Sequence, residues 1–105
     1  MYLEIDRLYL SGISESEEDV DFDNTNTDVI VVLNNGQKYI AAFFTIKNVE
    51  VINLQNEYEG RNLEGKYFWA KNMVLVARCD PESVEAVVKN LIEEGDFKEV
   101  FKRIF

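Results

Sequence analysis

The chain has 105 residues, of which 47% are hydrophobic and 12% aromatic, a composition typical of one globular domain, residues 1–105, rather than of a disordered segment. Its net charge of −9 argues against nucleic acid and against an anionic membrane surface as partners, because both attract clusters of lysine and arginine. The start of the chain lacks the basic and apolar regions of a signal peptide, and no apolar run has the roughly 20 residues that span a bilayer, so we expect a cytoplasmic protein.

A short strand and an acidic segment come first in the chain. Leu3 and Ile5 alternate with Glu4 and Asp6, which predicts a half-buried strand over residues 2–10. The polar residues that follow predict a loop. Seven acids and no base lie between residues 15 and 28, a stretch that we call the acidic segment: Glu15, Glu17, Glu18, Asp19, Asp21, Asp23 and Asp28. Residues 1–44 hold nine acids and two bases, so most of the net charge belongs to this part of the chain.

A β-hairpin follows the acidic segment. Two apolar runs, residues 28–34 and 37–44, flank Asn34-Asn35-Gly36, and an Asn-Gly pair tolerates the positive φ angles of a tight hairpin turn. Both runs are apolar at consecutive positions, which predicts central strands covered on both faces of the sheet, or nearly so.

The first predicted helix lies directly after the hairpin. Thr45 is a good N-cap and Gly60 is a natural helix stop, so we predict a helix over residues 46–59, although part of this stretch also alternates as a strand does. Three of its apolar residues share one helical face: Val51, Leu54 and Tyr58.

One strand and two further helices complete the prediction. Residues 67–78 predict a strand, broken or bulged near Lys71-Asn72. Asp80 and Pro81 are typical first residues of a helix, which we place over 81–94, and apolar residues recur at helical spacing over 97–104.

Together these elements predict an α+β domain. The sheet is expected to be antiparallel with about four strands, over residues 2–10, 28–34, 37–44 and 67–78. Helices over residues 46–59, 81–94 and 97–104 are expected to pack on it.

The sequence offers no catalytic constellation. Histidine is absent, which removes the commonest general base and the commonest zinc ligand. Cys79, the one cysteine, has Arg78 beside it but no base to activate it, so we expect a buried structural thiol. The glycines are single and scattered and form no phosphate-binding loop. We therefore predict no enzyme activity, no catalytic residue and no cofactor.

The acidic segment begins like a calcium loop and then departs from that pattern. Asp19, Asp21 and Asp23 stand at alternate positions, as calcium ligands do. The sixth position is Asn24 rather than glycine, and the twelfth is Ile30 rather than glutamate. We therefore predict a solvated acidic loop and no metal site.

Two features are candidates for partner binding. The seven carboxylates of the acidic segment have three interpretations: docking of a basic protein, mimicry of nucleic-acid phosphates, or solubility alone. Tyr67-Phe68-Trp69 is the densest aromatic cluster. If exposed, it would be a binding hot spot, but its place at the entry to a strand favours burial in the core.

A pattern of strand, helix, Gly-x-Tyr-Phe-Trp, strand and helix runs through the C-terminal two-thirds of the chain. It is carried by Phe43-Phe44-Thr45, by residues 65–76 and by Gly95-Asp96-Phe97. The pattern resembles small bacterial proteins of uncharacterised function, some of which resemble immunity proteins that accompany secreted toxins. The resemblance implies a fold and no functional residues, and the acidic segment lies outside it.

We therefore predict a non-enzymatic protein-binding module of the bacterial cytoplasm, in the manner of an immunity or inhibitor protein for a basic partner. The uneven charge and the lack of catalytic groups favour this function. Two alternatives stay open: a small-ligand or enzyme domain that uses carboxylates alone, and an acidic mimic of nucleic acid.

Overall fold

The computed structural model describes residues 3–12 and 20–105. These residues form a sheet with helices, which confirms the predicted α+β class. The strands are β1 (Ile5–Leu10), β2 (Asn26–Leu33), β3 (Lys38–Thr45), β4 (Met73–Val76) and β5 (Lys102–Arg103). The helices are α1 (Ile46–Glu59), α2 (Asn62–Gly65), α3 (Pro81–Glu94) and α4 (Phe97–Val100).

The sheet is built around the predicted hairpin. Strands run in the order β1-β2-β3-β4, and β1, β2 and β3 pair antiparallel. The turn between β2 and β3 places Gly36 at a φ of 85°, a conformation that glycine adopts without a steric penalty. β4 joins β3 in parallel, after the chain has passed through α1 and α2. β5 pairs antiparallel with the part of β3 that β4 does not reach, at Tyr39 and Ile40.

The two faces of the sheet differ in burial. Alternate residues of β2 and β3 are buried on one face, against α3 and α4: Val29, Val31, Leu33, Tyr39, Ala41 and Phe43. The residues between them are only half-buried or exposed and form a second face, which we call the open face: Asp28, Ile30, Val32, Lys38, Ile40, Ala42 and Phe44. The apolar residues of the open face are half-buried, so this face is less covered than the continuous apolar runs predicted. Such runs occur in a half-covered sheet as well as in an enclosed one.

Aromatic contacts connect the last part of the chain to the buried face. The ring centroids of Phe97 and Tyr39 are 5.0 Å apart, and those of Phe97 and Phe101 are 4.6 Å apart. Phe101 also meets Phe43, with 6.0 Å between the ring centroids. Edge-to-face and offset contacts of this kind add stability beyond the apolar area that they bury. The C-terminal segment is therefore part of the core.

Two predicted elements are shorter than expected. The helix predicted over 97–104 is the single turn α4 followed by β5, because the free edge of β3 pairs with residues 102 and 103. The strand predicted over 67–78 is limited to β4. Asn72, directly before β4, has a φ of 53°, which breaks the extended conformation, and its side-chain amide donates to the carbonyl oxygen of Val100 at 2.8 Å.

α3 begins with a strong N-cap. The Asp80 carboxylate accepts a hydrogen bond from the backbone N–H of Ser83 at 3.3 Å and lies 3.2 Å from Nε of Arg78. Hydrogen bonding from Ser83 and the charge of Arg78 lower the pKa of Asp80, against the opposing effect of partial burial. Its interactions therefore stabilise the fold above the ordinary pKa of a carboxyl group, and this contribution is lost as the pH falls through the lowered value.

Substitution of this cap gives a prediction with a defined pH dependence. Asp80→Ala should lower the free energy of unfolding by about 1 kcal/mol at neutral pH, because a helix donor loses its acceptor. Asp80→Asn keeps an acceptor and should lose less. Urea unfolding from neutral to strongly acidic pH would test this, since the difference between wild type and Asp80→Ala should shrink as Asp80 protonates. A difference that stays constant down to the lowest pH would show that the negative charge of Asp80 does not contribute to its stabilising effect.

Candidate functional site

The predicted acidic segment is only partly within the described residues. Glu15, Glu17, Glu18 and Asp19 lie outside them. Asp21 and Asp23 belong to a turn in which the Asp21 carboxylate accepts a hydrogen bond from the backbone N–H of Asp23 at 3.1 Å. Asp28 belongs to β2, where its side chain lies on the open face. The structure thus brings Asp21 and Asp23 together in one turn, while Asp28 lies in the sheet.

The turn that carries Asp21 and Asp23 is attached to the segment before α3. The backbone N–H of Cys79 donates to the carbonyl oxygen of Phe22 at 2.9 Å. The guanidinium of Arg78 lies over the Phe22 ring, 5.7 Å from its centroid, and 3.7 Å from the Asp23 carboxylate. The negative charge of Asp23 therefore has a cation beside it, which weakens the attraction of this turn for a basic partner.

Metal ligands do not gather in the described part of the chain. Within residues 3–12 and 20–105, no three acidic or cysteine side chains come close enough together to hold a metal ion. Asp21 and Asp23 lack a third ligand among these residues, and the remaining aspartate of the calcium-like pattern, Asp19, lies outside them.

Cys79 is buried, as predicted. Its side chain is inaccessible to solvent, and its sulfur lies 4.0 Å from the carbonyl oxygen of Thr25. Burial, with a smaller effect of the Asp80 charge, raises the pKa of the thiol to about 11. The thiolate is the reactive form of cysteine, so a thiol in this environment is a poor nucleophile at neutral pH.

Thiol labelling measures this burial directly. Native protein at mildly alkaline pH should react with a thiol-specific disulfide reagent at least about a hundredfold more slowly than the same protein in concentrated urea, because the thiolate is both scarce and inaccessible. Released chromophore measured over time gives both rates. Equal rates in the two conditions would show that Cys79 is accessible in the folded state.

The part of the chain between β3 and β4 forms a second feature, which we call the arm (residues 46–71). It consists of α1, α2 and the chain that returns to β4. α1 begins where the Thr45 hydroxyl accepts a hydrogen bond from the backbone N–H of Asn48 at 3.1 Å. The side chains of Asn26 and Asn48 then join α1 to β2, with 2.9 Å between the amide nitrogen and the oxygen. Thus the sheet holds α1 at its N-terminal end.

Three apolar side chains lie on the outward side of α1. Val51, Leu54 and Tyr58 share one helical face, as predicted, and this face is turned to solvent: Leu54 is 66% exposed and Tyr58 is 92% exposed. We call these three residues the α1 stripe. The inward side holds Asn56, the one described residue of α1 that is buried. Helical spacing predicted which residues lie together but contained no signal for the side of the helix that packs.

α2 is a single left-handed turn that lies against α1. Asn62, Leu63, Glu64 and Gly65 all have positive φ angles, between 50° and 77°. The backbone N–H of Gly65 donates to the Arg61 carbonyl at 2.9 Å, which closes the turn. A side chain at Gly65 would collide with the Asn53 carbonyl of α1. The turn therefore depends on a glycine at this position.

The return chain of the arm exposes further aromatic side chains. Phe68 packs on Phe44 with 5.2 Å between the ring centroids, but Tyr67 is about half exposed and Trp69 is 69% exposed. The prediction that this cluster belongs to the core is therefore wrong for two of its three residues. The reason is that residues 67–70 precede β4 rather than form part of it, so one ring reaches the sheet while its neighbours face solvent.

The arm concentrates exposed apolar surface. Of the eleven large apolar side chains that are exposed among the described residues, seven belong to it: Ile46, Val51, Leu54, Tyr58, Leu63, Tyr67 and Trp69. The arm also holds four acids and four bases, so it is neutral in a chain whose net charge is −9. Exposed apolar surface that is enriched in aromatic residues is typical of protein-binding sites.

A shallow pocket with an acidic edge adjoins the α1 stripe. It encloses about 410 Å³ beside Leu54, and Glu50, Glu57 and Gly65 also line it. Glu50 and Glu57 are both exposed. A cationic side chain of a partner would find two carboxylates here, next to an apolar anchor point.

A larger groove lies between the start of β1 and α3. It has a volume of about 780 Å³ and is lined by Leu3, Glu4, Ile5, Glu85, Lys89, Ile92 and Glu93. Its three carboxylates belong to exposed residues, and Lys89 pairs with Glu85 at 3.1 Å. Carboxylate catalysis generally depends on a sheltered pair of acids in different environments, and these exposed side chains do not form one.

Two further findings concern the chain as a whole. In the described ranges, no helix has the length and apolar character needed to cross a membrane. No protein family, curated protein or solved structure matches the chain.

Proposed function

We propose that this chain is a non-enzymatic protein-binding module that contacts its partner through the arm. The observation that carries the proposal is the α1 stripe, which has helical spacing and is exposed along its length. Apolar residues at helical spacing ordinarily face the core. In α1 three of them face solvent instead, so they are available for contact with another protein.

The exposed apolar side chains of the arm would contribute to binding energy. Burial of one large apolar side chain is worth about 1.5–3 kcal/mol, so Leu54 and Tyr58 together would contribute about 3–6 kcal/mol. Tyrosine and tryptophan are enriched among the residues that dominate binding energy, and Tyr58 and Trp69 are of this kind.

The charges favour a partner with lysine or arginine around its apolar contact. Glu50 and Glu57 form the acidic edge beside Leu54, and a cation of the partner would pair with them. The net charge of −9 would accelerate the encounter with a basic protein, an effect that weakens as salt is added. An immunity or inhibitor protein for a basic toxin or enzyme is the specific form of this function that we propose.

Affinity capture with matched variants tests the function. Wild-type protein, the double variant Leu54→Ser/Tyr58→Ser and the control Phe105→Ser would be immobilised and exposed to lysate of the source organism. A partner of the arm should be retained by wild type and control, and its retention by the arm variant should fall at least about tenfold, the equivalent of 1.4 kcal/mol. Phe105 is a suitable control because it is 73% exposed and lies outside the arm.

The identity of the captured protein and the effect of salt complete the test. A partner with a basic contact surface, whose retention falls as salt is raised, agrees with the proposal. Retention of the same partner by the arm variant would overturn the role of the arm. Far-UV circular dichroism of each variant would establish that the fold is unchanged.

A further inference from the structure

We propose that the open face of the sheet is a self-association surface, and that a second copy of this chain packs on it face to face. The arm meets one end of this face, where Phe68 packs on Phe44. The proposal concerns the rest of the face, from Asp28 to Lys38, and the opposite charges at its two ends.

The strand register defines the rows of the open face. Residues that are paired across strands project to the same side of a sheet. The middle row is therefore Tyr9, Ile30 and Ile40, which are paired in sequence across β1, β2 and β3. These apolar side chains are exposed or half-buried, so the centre of the face retains apolar surface that a second sheet would bury.

One end of the open face is basic. Arg7 and Lys38 both pair with Val32, one from each side, whereas Lys102 pairs with Ile40 and so extends the middle row onto β5. The Lys38 ammonium lies 5.5 Å from the centroid of the Phe105 ring, and a guanidinium nitrogen of Arg7 donates to the Tyr9 hydroxyl at 3.2 Å. A groove of about 500 Å³ lies between Arg7 and Lys38, and the apolar Ile30, Val32 and Ile104 and the acidic Asp6 also line it.

The other end of the open face is acidic. Asp28 lies on β2 two residues before Ile30, as Val32 lies two residues after it, and Asp28 pairs with Ala42. It is exposed. The face therefore carries a negative charge on one side of the apolar row and positive charges on the other.

A two-fold axis makes this face complementary to itself. We consider an axis that lies between the two sheets, perpendicular to the strands, at the level of Ile30 and Ile40. It places the apolar rows of the two copies against each other. It also places Asp28 of each copy over Val32 of the other, between Arg7 and Lys38. Sheets that pack face to face with aligned strands are separated by about 10 Å, within which these long side chains meet.

We expect a second copy of the chain as the partner because the open face is complementary to itself. A two-fold interface uses the same surface patch on both subunits, so its charges must pair with their own symmetry mates. Rotation about an axis parallel to the strands would instead set the basic ends against each other. The pairing of Asp28 with Arg7 and Lys38 therefore favours a second copy in the first of these two orientations.

Sedimentation equilibrium of the full chain tests the proposal. Wild-type protein should show a reversible monomer–dimer equilibrium as its concentration rises. Asp28→Lys and Lys38→Glu should each weaken the dimer by at least about tenfold, because each sets like charges opposite one another. The double variant Asp28→Lys/Lys38→Glu exchanges the signs and should recover most of the wild-type affinity.

Recovery in the double variant is the decisive outcome, because a merely misfolded variant would not regain association. Circular dichroism of each variant would verify the fold. A wild-type chain that remains monomeric at the highest concentration would overturn the proposal. So would a dimer that is insensitive to the charge exchange, or one that Leu54→Ser/Tyr58→Ser abolishes, since that dimer would form through the arm.

Discussion

Replacement of Phe97 by alanine should lower the free energy of unfolding by about 3–5 kcal/mol, the cost typical of removing a buried aromatic ring. Phe97 is almost completely inaccessible and lies between Tyr39 of the sheet and Phe101. Domains of this kind have a total stability of about 5–15 kcal/mol, so the variant should unfold at a much lower urea concentration. The loss is large because α4 is one turn long and depends on its side-chain contacts for its position.

The matched control for this prediction is Phe105→Ala. It makes the same chemical change in the same segment, but at an exposed ring, where substitutions usually change stability by less than about 0.5 kcal/mol. Urea unfolding should be followed by far-UV circular dichroism, because Trp69 is exposed in the arm and its fluorescence would report on the arm. Equal effects of the two substitutions would show that Phe97 is not part of the core.

Elements with strong local signals were predictable from the sequence. The bounds of α1 and α3 match the prediction because each begins at a residue whose side chain caps the helix, Thr45 or Asp80. Each also ends at a glycine with a positive φ angle. The hairpin was predictable for the same reason, since the Asn-Gly turn and its flanking runs are adjacent in sequence.

Features that depend on contacts between distant residues were not predictable. β5 exists because β4 leaves part of the edge of β3 unpaired, and nothing in residues 102 and 103 indicates this. The exposure of the α1 stripe is of the same kind, because its spacing is that of a buried helical face. The charge of the sequence indicated the acidic segment as a candidate binding site. The structure adds a second candidate, the neutral arm, where exposed apolar side chains are concentrated.

The left-handed turn α2 has a strained backbone and lies in the arm, the candidate binding surface. Leu63 and Glu64 have φ angles of 50° and 57°, a region in which a side chain clashes with the backbone at about 1–2 kcal/mol per residue. Leu63 is nonetheless 70% exposed, so its side chain recovers little of this energy by burial. Strained backbone of this kind tends to occur at functional sites, which agrees with a role of Leu63 in partner contact.

Substitutions at Gly65 and at Leu63, both in α2, should change the free energy of unfolding in opposite directions. Gly65→Ala should lower stability by about 2–5 kcal/mol, because the new side chain is unfavourable at a φ of 77° and collides with the Asn53 carbonyl. Gly36→Ala is the control, since Gly36 has a φ of 85° but no neighbouring atom within 4 Å. It should show only the conformational cost of about 1–2 kcal/mol. Equal losses at the two positions would show that α2 does not pack closely on α1.

Leu63→Gly should instead raise stability, by about 0.5–1 kcal/mol, because glycine removes the clash and loses only part of this gain through its greater freedom in the unfolded chain. Urea unfolding measures this change, and affinity capture of the partner by the same variant measures its binding. If the arm is the binding surface, the variant should be more stable than wild type and bind its partner more weakly. A more stable variant with unchanged binding would show that the strained backbone at Leu63 has no role in partner binding. A less stable variant would show that the Leu63 side chain supports the fold. Stability and binding would then be opposed at one residue, which explains how a strained leucine persists where glycine would fit.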